Sequence, residues 1–222
     1  MTLETIDVET APNPTASIII LHGLGADGND FVPVAQELDL RAAGPVRFVF
    51  PHGPTRPVTI NGGYVMRAWY DILGTDLVRR EDEAGLRESL LLVEALIATE
   101  RARGIPAARI VLGGFSQGCA MTLMAGLRHG ERLAGLLGMS GYLPLASTTA
   151  AERSAANAGV PIFLGHGRAD PVIALDRATT SRDALLALGY PVEWHDYPMP
   201  HSVCAAEIVD MNRWLLKVLS PA

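Results

Sequence analysis

Short apolar runs alternate with stretches of helical spacing along almost the whole chain. Leu3 to Val8 alternates apolar and polar side chains at period two, the pattern of an edge strand with one wet face. Ser17-Ile18-Ile19-Ile20-Leu21 is continuous instead and predicts a strand buried on both faces. A helix is expected from about Asn29 to Leu38, ahead of a second buried strand from Val46 to Phe50. A Pro/Gly-rich connection then runs from Pro51 to about Asp76, and loops of that length are uncommon in compact domains unless they are functional. Glu81-Asp82-Glu83 puts negative charge at the start of a long helix, with Leu86, Leu90, Val93 and Ile97 at helical spacing and Gly104 and Pro106 as the stop. Beyond it, the pattern predicts a strand Arg109 to Gly113, an apolar helix Gln117 to Arg128, and strands Leu133 to Met139 and Val160 to Leu164. A helix Leu175 to Leu188, a strand Val192 to Tyr197 and a closing helix Ser202 to Leu219 complete the alternation. Such an order predicts an α/β chain with a mainly parallel central sheet and helices on both faces. No repeat or linker divides residues 1–222, so one domain is expected. Candidate chemistry should then sit just after the carboxyl ends of the strands.

Composition narrows what that chemistry is. Apolar residues make up 49% of the 222 positions and charged residues 19%, which is globular rather than disordered composition. The net charge is −6 and no Lys/Arg run is present, so a nucleic-acid surface is not expected. Lys217 is the only lysine and lies in the closing helix pattern, which sets aside Walker A and Schiff-base chemistry. The longest mostly apolar stretch, Leu133 to Ala146, is broken by glycines and falls short of the ~18 residues that a membrane span needs. The N-terminus has no basic residue before Arg41 and no secretory pattern, and a cytoplasmic protein is expected. Cys119 and Cys204 show neither CxxC nor metal-ligand spacing and are expected to be free thiols.

Gly114-Phe115-Ser116-Gln117-Gly118 is a GxSxG pattern placed where a buried strand turns into a helix. A tight turn there strains the serine backbone and lifts its Oγ above the sheet, with the partial positive charge of a helix N-terminus beside it. A serine hydroxyl needs a base, and the base a carboxylate to orient it. Asp170, after the strand Pro161 to Leu164, is the best carboxylate; Asp176 and Asp183 fall in the following helix. His201 follows the next strand, whereas His195 sits inside it and His22, His52 and His166 precede the acid. The order Ser116, Asp170, His201 is that of an α/β hydrolase. Gly23-Leu24-Gly25-Ala26-Asp27-Gly28 also matches the dinucleotide fingerprint GxGxxG, but the next strand ends in Phe50-Pro51-His52-Gly53 without the acid that would hold a ribose, and Asp27 would face the pyrophosphate. The loop instead fits an oxyanion hole, with backbone N–H groups from Leu24 and Gln117, each worth about 3 kcal/mol of transition-state stabilisation.

Taken together, His22-Gly23-Leu24-Gly25, Arg67-Ala68-Trp69-Tyr70-Asp71-Ile72, Gly113-Gly114-Phe115-Ser116-Gln117-Gly118, Asp170-Pro171-Val172 and His201-Ser202 resemble the carboxylesterase and acyl-protein thioesterase family of α/β hydrolases, from about Ala16 to Leu219. The resemblance implies an α/β-hydrolase fold without a separate lid domain, a Ser116, Asp170, His201 triad, an oxyanion hole at Leu24 and Gln117, and no metal or other cofactor. It also implies short and medium acyl esters as substrates, with lysophospholipids or acyl thioesters on proteins for some members. Cys119 stands where many relatives have glycine and introduces a thiol beside the nucleophile. Within the long connection, Ile60, Val65, Met66, Trp69 and Leu73 are candidates for an acyl channel, bordered by Val172, although core packing beneath the loop explains them equally well. Apolar residues of this loop also admit a homodimer. The competing readings are a peptidase or lactone hydrolase on the same scaffold, and a catalytically silent binding protein.

Overall fold

The computed structural model describes residues 3–74 and 81–220. In chain order its elements begin with β1 (Thr5–Glu9), β2 (Ala16–Leu21), α1 (Val32–Gln36), β3 (Val46–Pro51), β4 (Thr55–Val58), β5 (Tyr64–Arg67) and α2 (Glu83–Ala102). They continue with β6 (Ile110–Phe115), α3 (Gln117–Gly126), β7 (Gly135–Met139), α4 (Ala146–Glu152), β8 (Ile162–Gly167), α5 (Leu175–Ala187), β9 (Val192–Tyr197) and α6 (Ala205–Val218). Seven strands form one sheet in the order β1-β3-β2-β6-β7-β8-β9. Only β1 runs antiparallel to its neighbour, so the sheet is mainly parallel as the alternation predicts.

The continuous apolar runs exist because the sheet is covered twice. Ile19, Leu21, Ile110, Leu112, Leu136, Ile162 and Leu164 face one apolar cluster with Leu86, Val93 and Ile97 of α2 and with α3. Their neighbours Ile18, Ile20, Val111, Leu137 and Phe163 face the other, with Met211, Trp214 and Leu215 of α6. Period-two alternation therefore distributes apolar side chains between two cores rather than between core and water.

Strand order also sets the place for a ligand. From β2 the chain moves to β3 on one side, and from β6 to β7 on the other, while Leu21 of β2 pairs in register with Gly114 of β6. The loops after these two strands diverge at a common level, which leaves a crevice at the carboxyl edge.

Several elements differ from expectation. The helix expected from Asn29 to Leu38 is only Val32–Gln36, because Asp27 accepts the Asn29 N–H at 2.8 Å and holds the preceding residues in a turn. The connection from Pro51 to Asp76, whose residues 75 and 76 lie outside the described ones, contains a two-stranded hairpin, β4 with β5. Its strands are short and separate from the main sheet, so the Pro/Gly content masked them. Helix α4 was also unexpected, and α6 begins at Ala205 rather than Ser202, leaving His201 on a loop. Among the described residues no separate lid domain covers the crevice, and no helix is long and apolar enough to cross a membrane.

Candidate active site

The turn between β6 and α3 carries Ser116 at φ 56° and ψ −115°, a left-handed conformation that is strained for a residue with a side chain. Its backbone N–H donates to the Met139 carbonyl at 2.9 Å, tying the turn to the end of β7. The flanking glycines are required by close approach. A Cβ on Gly114 would overlap the Gly118 carbonyl across the turn, and a Cβ on Gly118 would lie 2.5 Å from the Leu21 carbonyl carbon and 2.8 Å from the His22 oxygen.

His201, on the loop between β9 and α6, brings Nε2 to 3.0 Å from Ser116 Oγ and Nδ1 to 2.6 Å from Asp170 Oδ2. Asp170 follows β8 and its carboxylate is buried; Oδ1 accepts the backbone N–H groups of Val172 and Ile173 at 2.8 and 2.9 Å. With that oxygen occupied, Oδ2 is left to accept from His201 Nδ1–H, so the Nε2 lone pair faces the serine. The His201 ring also packs 4.7 Å from the ring of Phe115, which limits its rotation. His166, set aside in the sequence for preceding the acid, supports this loop: its Nε2–H donates to the Ile173 carbonyl at 2.9 Å. A serine so placed can pass its proton to the imidazole as it attacks an acyl carbon.

Leu24 and Gln117 both line the cavity beside Ser116, and among the described residues neither backbone N–H has an acceptor. The Leu24 loop is held from several sides. His22 donates from Nδ1 to the Gly23 carbonyl at 2.7 Å and accepts the Gly53 N–H on Nε2 at 2.9 Å, so its neutral tautomer is defined. Burial pushes the His22 pKa down, in keeping with that neutral form. Gly25 N–H donates to the Arg67 carbonyl at 2.9 Å, which anchors the loop to the base of the β4–β5 hairpin.

Cavity lining corrects part of the expectation for the long connection. A cavity of about 160 Å³ reaches Ser116 and is lined by Leu73, Val172 and Ile60, together with Tyr70, Tyr142 and Ile173. Trp69 and Met66 are not on its wall. Trp69 is fully buried, with Nε1–H donating to the His22 carbonyl at 2.9 Å and its backbone N–H to Gln117 Oε1 at 3.0 Å, so it packs the connection onto the site from beneath. Met66 lies by the Gly25 end of the loop, its sulfur accepting from Asn61 Nδ2 at 3.4 Å. Val65 is largely exposed and also off the wall. The Gln117 side chain has a role that the sequence did not signal: besides accepting from Trp69, its Nε2 donates to the Tyr70 carbonyl at 2.9 Å. One residue thereby clamps the long connection to the start of α3.

Cys119 is inert. Its thiol is buried and pushed up to about 12 by desolvation, which keeps it protonated. Room for it comes from Gly138, where a Cβ would fall 2.7 Å from the sulfur, and from Gly141, where one would overlap it.

Glu207 of α6 is fully buried against Gly165 of β8, and among the described residues no side chain hydrogen-bonds to its carboxyl group. Burial raises its pKa to about 8 from an ordinary value near 4.5. The folded protein thus holds a proton that the unfolded chain releases, and stability should fall as pH rises from 4.5 to 8. Glu207→Gln is expected to remove that decline. In thermal scans its Tm should lie close to the wild type near pH 5 and exceed it by about 10 °C at pH 8, and parallel curves for the two proteins would contradict the assignment.

Known proteins resemble this chain over most of its length. The profile of the Phospholipase/Carboxylesterase family matches residues 4–219. Acyl-protein thioesterase 1 of Yarrowia lipolytica is 40% identical over 206 residues, which covers 90% of this chain and 91% of that protein. Acyl-protein thioesterase 1 of Neurospora crassa is 42% identical over 214 residues, covering 92% and 87%. The crystal structure of Zea mays acyl-protein thioesterase 2 superposes with a TM-score of 0.86 at 30% identity, covering 97% of this chain and 99% of that one. The sheet topology, the strand-to-helix serine turn and the extent of these matches lead to one conclusion: the chain belongs to the phospholipase/carboxylesterase family of serine α/β hydrolases.

Proposed function

We propose that the protein hydrolyses acyl esters and acyl thioesters through a covalent intermediate on Ser116, as one α/β-hydrolase domain across residues 1–222. The carrying observation is the placement of His201 between Ser116 Oγ, at 3.0 Å, and the buried Asp170 carboxylate, at 2.6 Å. Ser116 Oγ attacks the acyl carbon while its proton moves to His201 Nε2; Asp170 holds the tautomer and stabilises the imidazolium that forms. The carbonyl oxygen becomes an oxyanion that accepts from the Leu24 and Gln117 amides. Collapse of the tetrahedral species expels the alcohol or thiol, which takes the proton from His201. Water, deprotonated by the same imidazole, then attacks the acyl carbon and frees Ser116.

Leu73 and Val172, with Ile60, are proposed as the acyl-binding wall, a role that their exposure at the cavity mouth supports. A carboxylic ester, a lysophospholipid or an acylated protein each presents the required acyl carbonyl. The relatives named acyl-protein thioesterase favour the protein thioester among these. We further propose a cytoplasmic enzyme, in keeping with its free cysteines, and a homodimer formed through the exposed apolar residues Tyr64 and Val65. Light scattering of the wild type and of Tyr64→Ser tests the dimer, which predicts a monomer for the variant alone.

Ser116→Ala is expected to lose hydrolysis of p-nitrophenyl butanoate by at least a thousandfold and to lose labelling by a fluorophosphonate, with an unchanged circular dichroism spectrum. Retained turnover overturns the mechanism. A wild-type protein that takes no label favours the silent binding protein, and turnover of peptides or lactones in preference to esters favours the scaffold's other activities.

A further inference from the structure

We infer that Glu207 positions the catalytic base: its carboxyl group, wedged between the first turn of α6 and Gly165 of β8, fixes the loop that presents His201 to Ser116. The inference rests on the esterase reading above and adds to it a positioning residue that touches neither substrate nor the reacting atoms.

The pattern of α6 marks this residue as out of place. The buried residues of the helix are Glu207, Met211, Trp214 and Leu215, the i, i+4, i+7 and i+8 stripe of a helix packed on a core. An apolar side chain is favoured at every position of such a stripe, whereas burial of an acid without a partner is penalised. The facing strand is nevertheless shaped for the acid. A Cβ on Gly165 would overlap Glu207 Oε1 and lie 2.9 Å from its Cδ, so the strand needs glycine there.

The wedge sits where it can act on the base. Gly165 pairs in register with Met139 of β7, whose carbonyl accepts the Ser116 N–H at 2.9 Å. Glu207 is the third residue of α6, and the backbone N–H of the N-cap residue Cys204 faces its carboxyl group, the arrangement of a capping box. His201 lies three residues before that cap. Upstream of it the loop is pinned by Arg168 N–H to the Tyr197 carbonyl at 2.8 Å and by Ala169 N–H to the Met199 carbonyl at 3.2 Å. Downstream the hold is looser: Ser140 Oγ reaches the Ser202 carbonyl at 3.5 Å, Val203 is partly buried, and Glu207 is the first fully buried residue after the histidine.

The surroundings of the carboxyl group make the wedge dependent on its proton. Asp210 faces it from the next turn of α6, Cys119 from α3 and Tyr197 from β9, and none of these is a cation. Arg213 and His195 lie against Asp210 instead, at 2.9 and 3.5 Å. Ionisation therefore leaves a carboxylate in the core with the Cys204 N–H and the start of α6 to meet it. Burial holds the proton up to a pKa of about 8. Above that pH the first turn of α6 moves off β8 and draws His201 away from Ser116.

The pH profile of kcat for p-nitrophenyl butanoate tests this on the full chain, with spontaneous hydrolysis subtracted and folding checked by circular dichroism. Wild-type kcat should fall about tenfold from pH 7 to pH 9 at a KM constant within twofold, following the protonated fraction of Glu207. Glu207→Gln keeps the shape and cannot ionise, so it should hold at least half of the wild-type kcat at pH 7 and stay level to pH 9. Glu207→Leu fills the space but offers the Cys204 N–H no acceptor, and its kcat at pH 7 should drop about tenfold at unchanged KM. A role in stability alone moves Tm and leaves kcat of the folded enzyme untouched. The far-downfield proton resonance of the His201–Asp170 hydrogen bond reads the same positioning without turnover, and should fade from pH 7 to pH 9 in the wild type but not in Glu207→Gln. A level wild-type profile, a glutamine variant that shares the wild-type fall, or a folded leucine variant of wild-type kcat overturns the inference; the glutamine comparison carries the test if the leucine variant does not fold. Absence of wild-type turnover and of fluorophosphonate labelling, with a resonance that still follows Glu207, defeats the esterase reading and leaves the positioning in place.

Discussion

Asp170→Asn is expected to lower kcat by about four orders of magnitude while leaving the fold and KM nearly intact. The reason lies in which oxygen is occupied. Oδ1 of Asp170 accepts two backbone N–H groups, from Val172 and Ile173, and these donors tolerate only an acceptor. An asparagine must therefore place its carbonyl oxygen there and turn its NH2 toward His201. The NH2 has no lone pair to offer the imidazole, so His201 Nδ1 becomes the acceptor and the ring proton moves to Nε2. Nε2–H now faces Ser116 Oγ at the distance where a lone pair is needed, and the serine keeps its proton. Steady-state kinetics with p-nitrophenyl butanoate measure the effect. A variant that retains more than a tenth of wild-type kcat would show that Asp170 does not set the tautomer. Thermal scans should show little loss, because asparagine preserves both loop hydrogen bonds.

Gly118→Ala is the second large effect and acts on stability as well as chemistry. The added Cβ would overlap the Leu21 carbonyl oxygen and press on the His22 carbonyl, both of them backbone atoms at the end of β2. Flexible side chains give way to such a contact, but paired strand backbone does not. Helix α3 must shift away from β2, and with it move Ser116 at the helix start and the 22–24 loop that presents the Leu24 amide. Overpacking of this kind costs about 1–3 kcal/mol or more in stability. Displacement of the nucleophile relative to the oxyanion donors by even 1 Å lowers turnover about a hundredfold. Denaturant unfolding together with kcat on a short ester checks both parts. A variant of wild-type stability and turnover would mean that β2 and α3 are not in close contact at this point.

These two residues illustrate different degrees of legibility. Both glycines of GxSxG flank the strand-to-helix turn, and at Gly114 the close approach is across that turn. At Gly118 the partner is a strand that lies nearly a hundred residues earlier, which no local pattern can express. Asp170 was selected because it follows a buried strand, yet its two backbone donors depend on the conformation of the loop that it begins. Trp69 shows the limit from the other side: the sequence left channel lining and core packing equally open, and the bond of its indole N–H to the His22 carbonyl in the buried interior decides for packing. The short hairpin β4–β5 escaped notice because four-residue strands paired only with each other carry too little period-two signal among prolines and glycines.

Hydrophobic periodicity along the chain, with the positions of Ser116, Asp170 and His201 just after strand-forming runs, was enough to specify a mainly parallel α/β sheet and the kind of chemistry at its carboxyl edge. Such information is local, because burial and backbone period are written into neighbouring residues. The contacts that complete the arrangement are not local. His201 lies 31 residues from Asp170 and 85 from Ser116. The Gln117 clamp on Trp69 and Tyr70, the tautomer of His22 and the hydrogen bond between the Tyr70 and Tyr142 hydroxyls likewise join segments far apart in the chain. Only folding decides such pairings, since hydrogen bonds and packing act over a few ångströms in space whatever the separation in sequence.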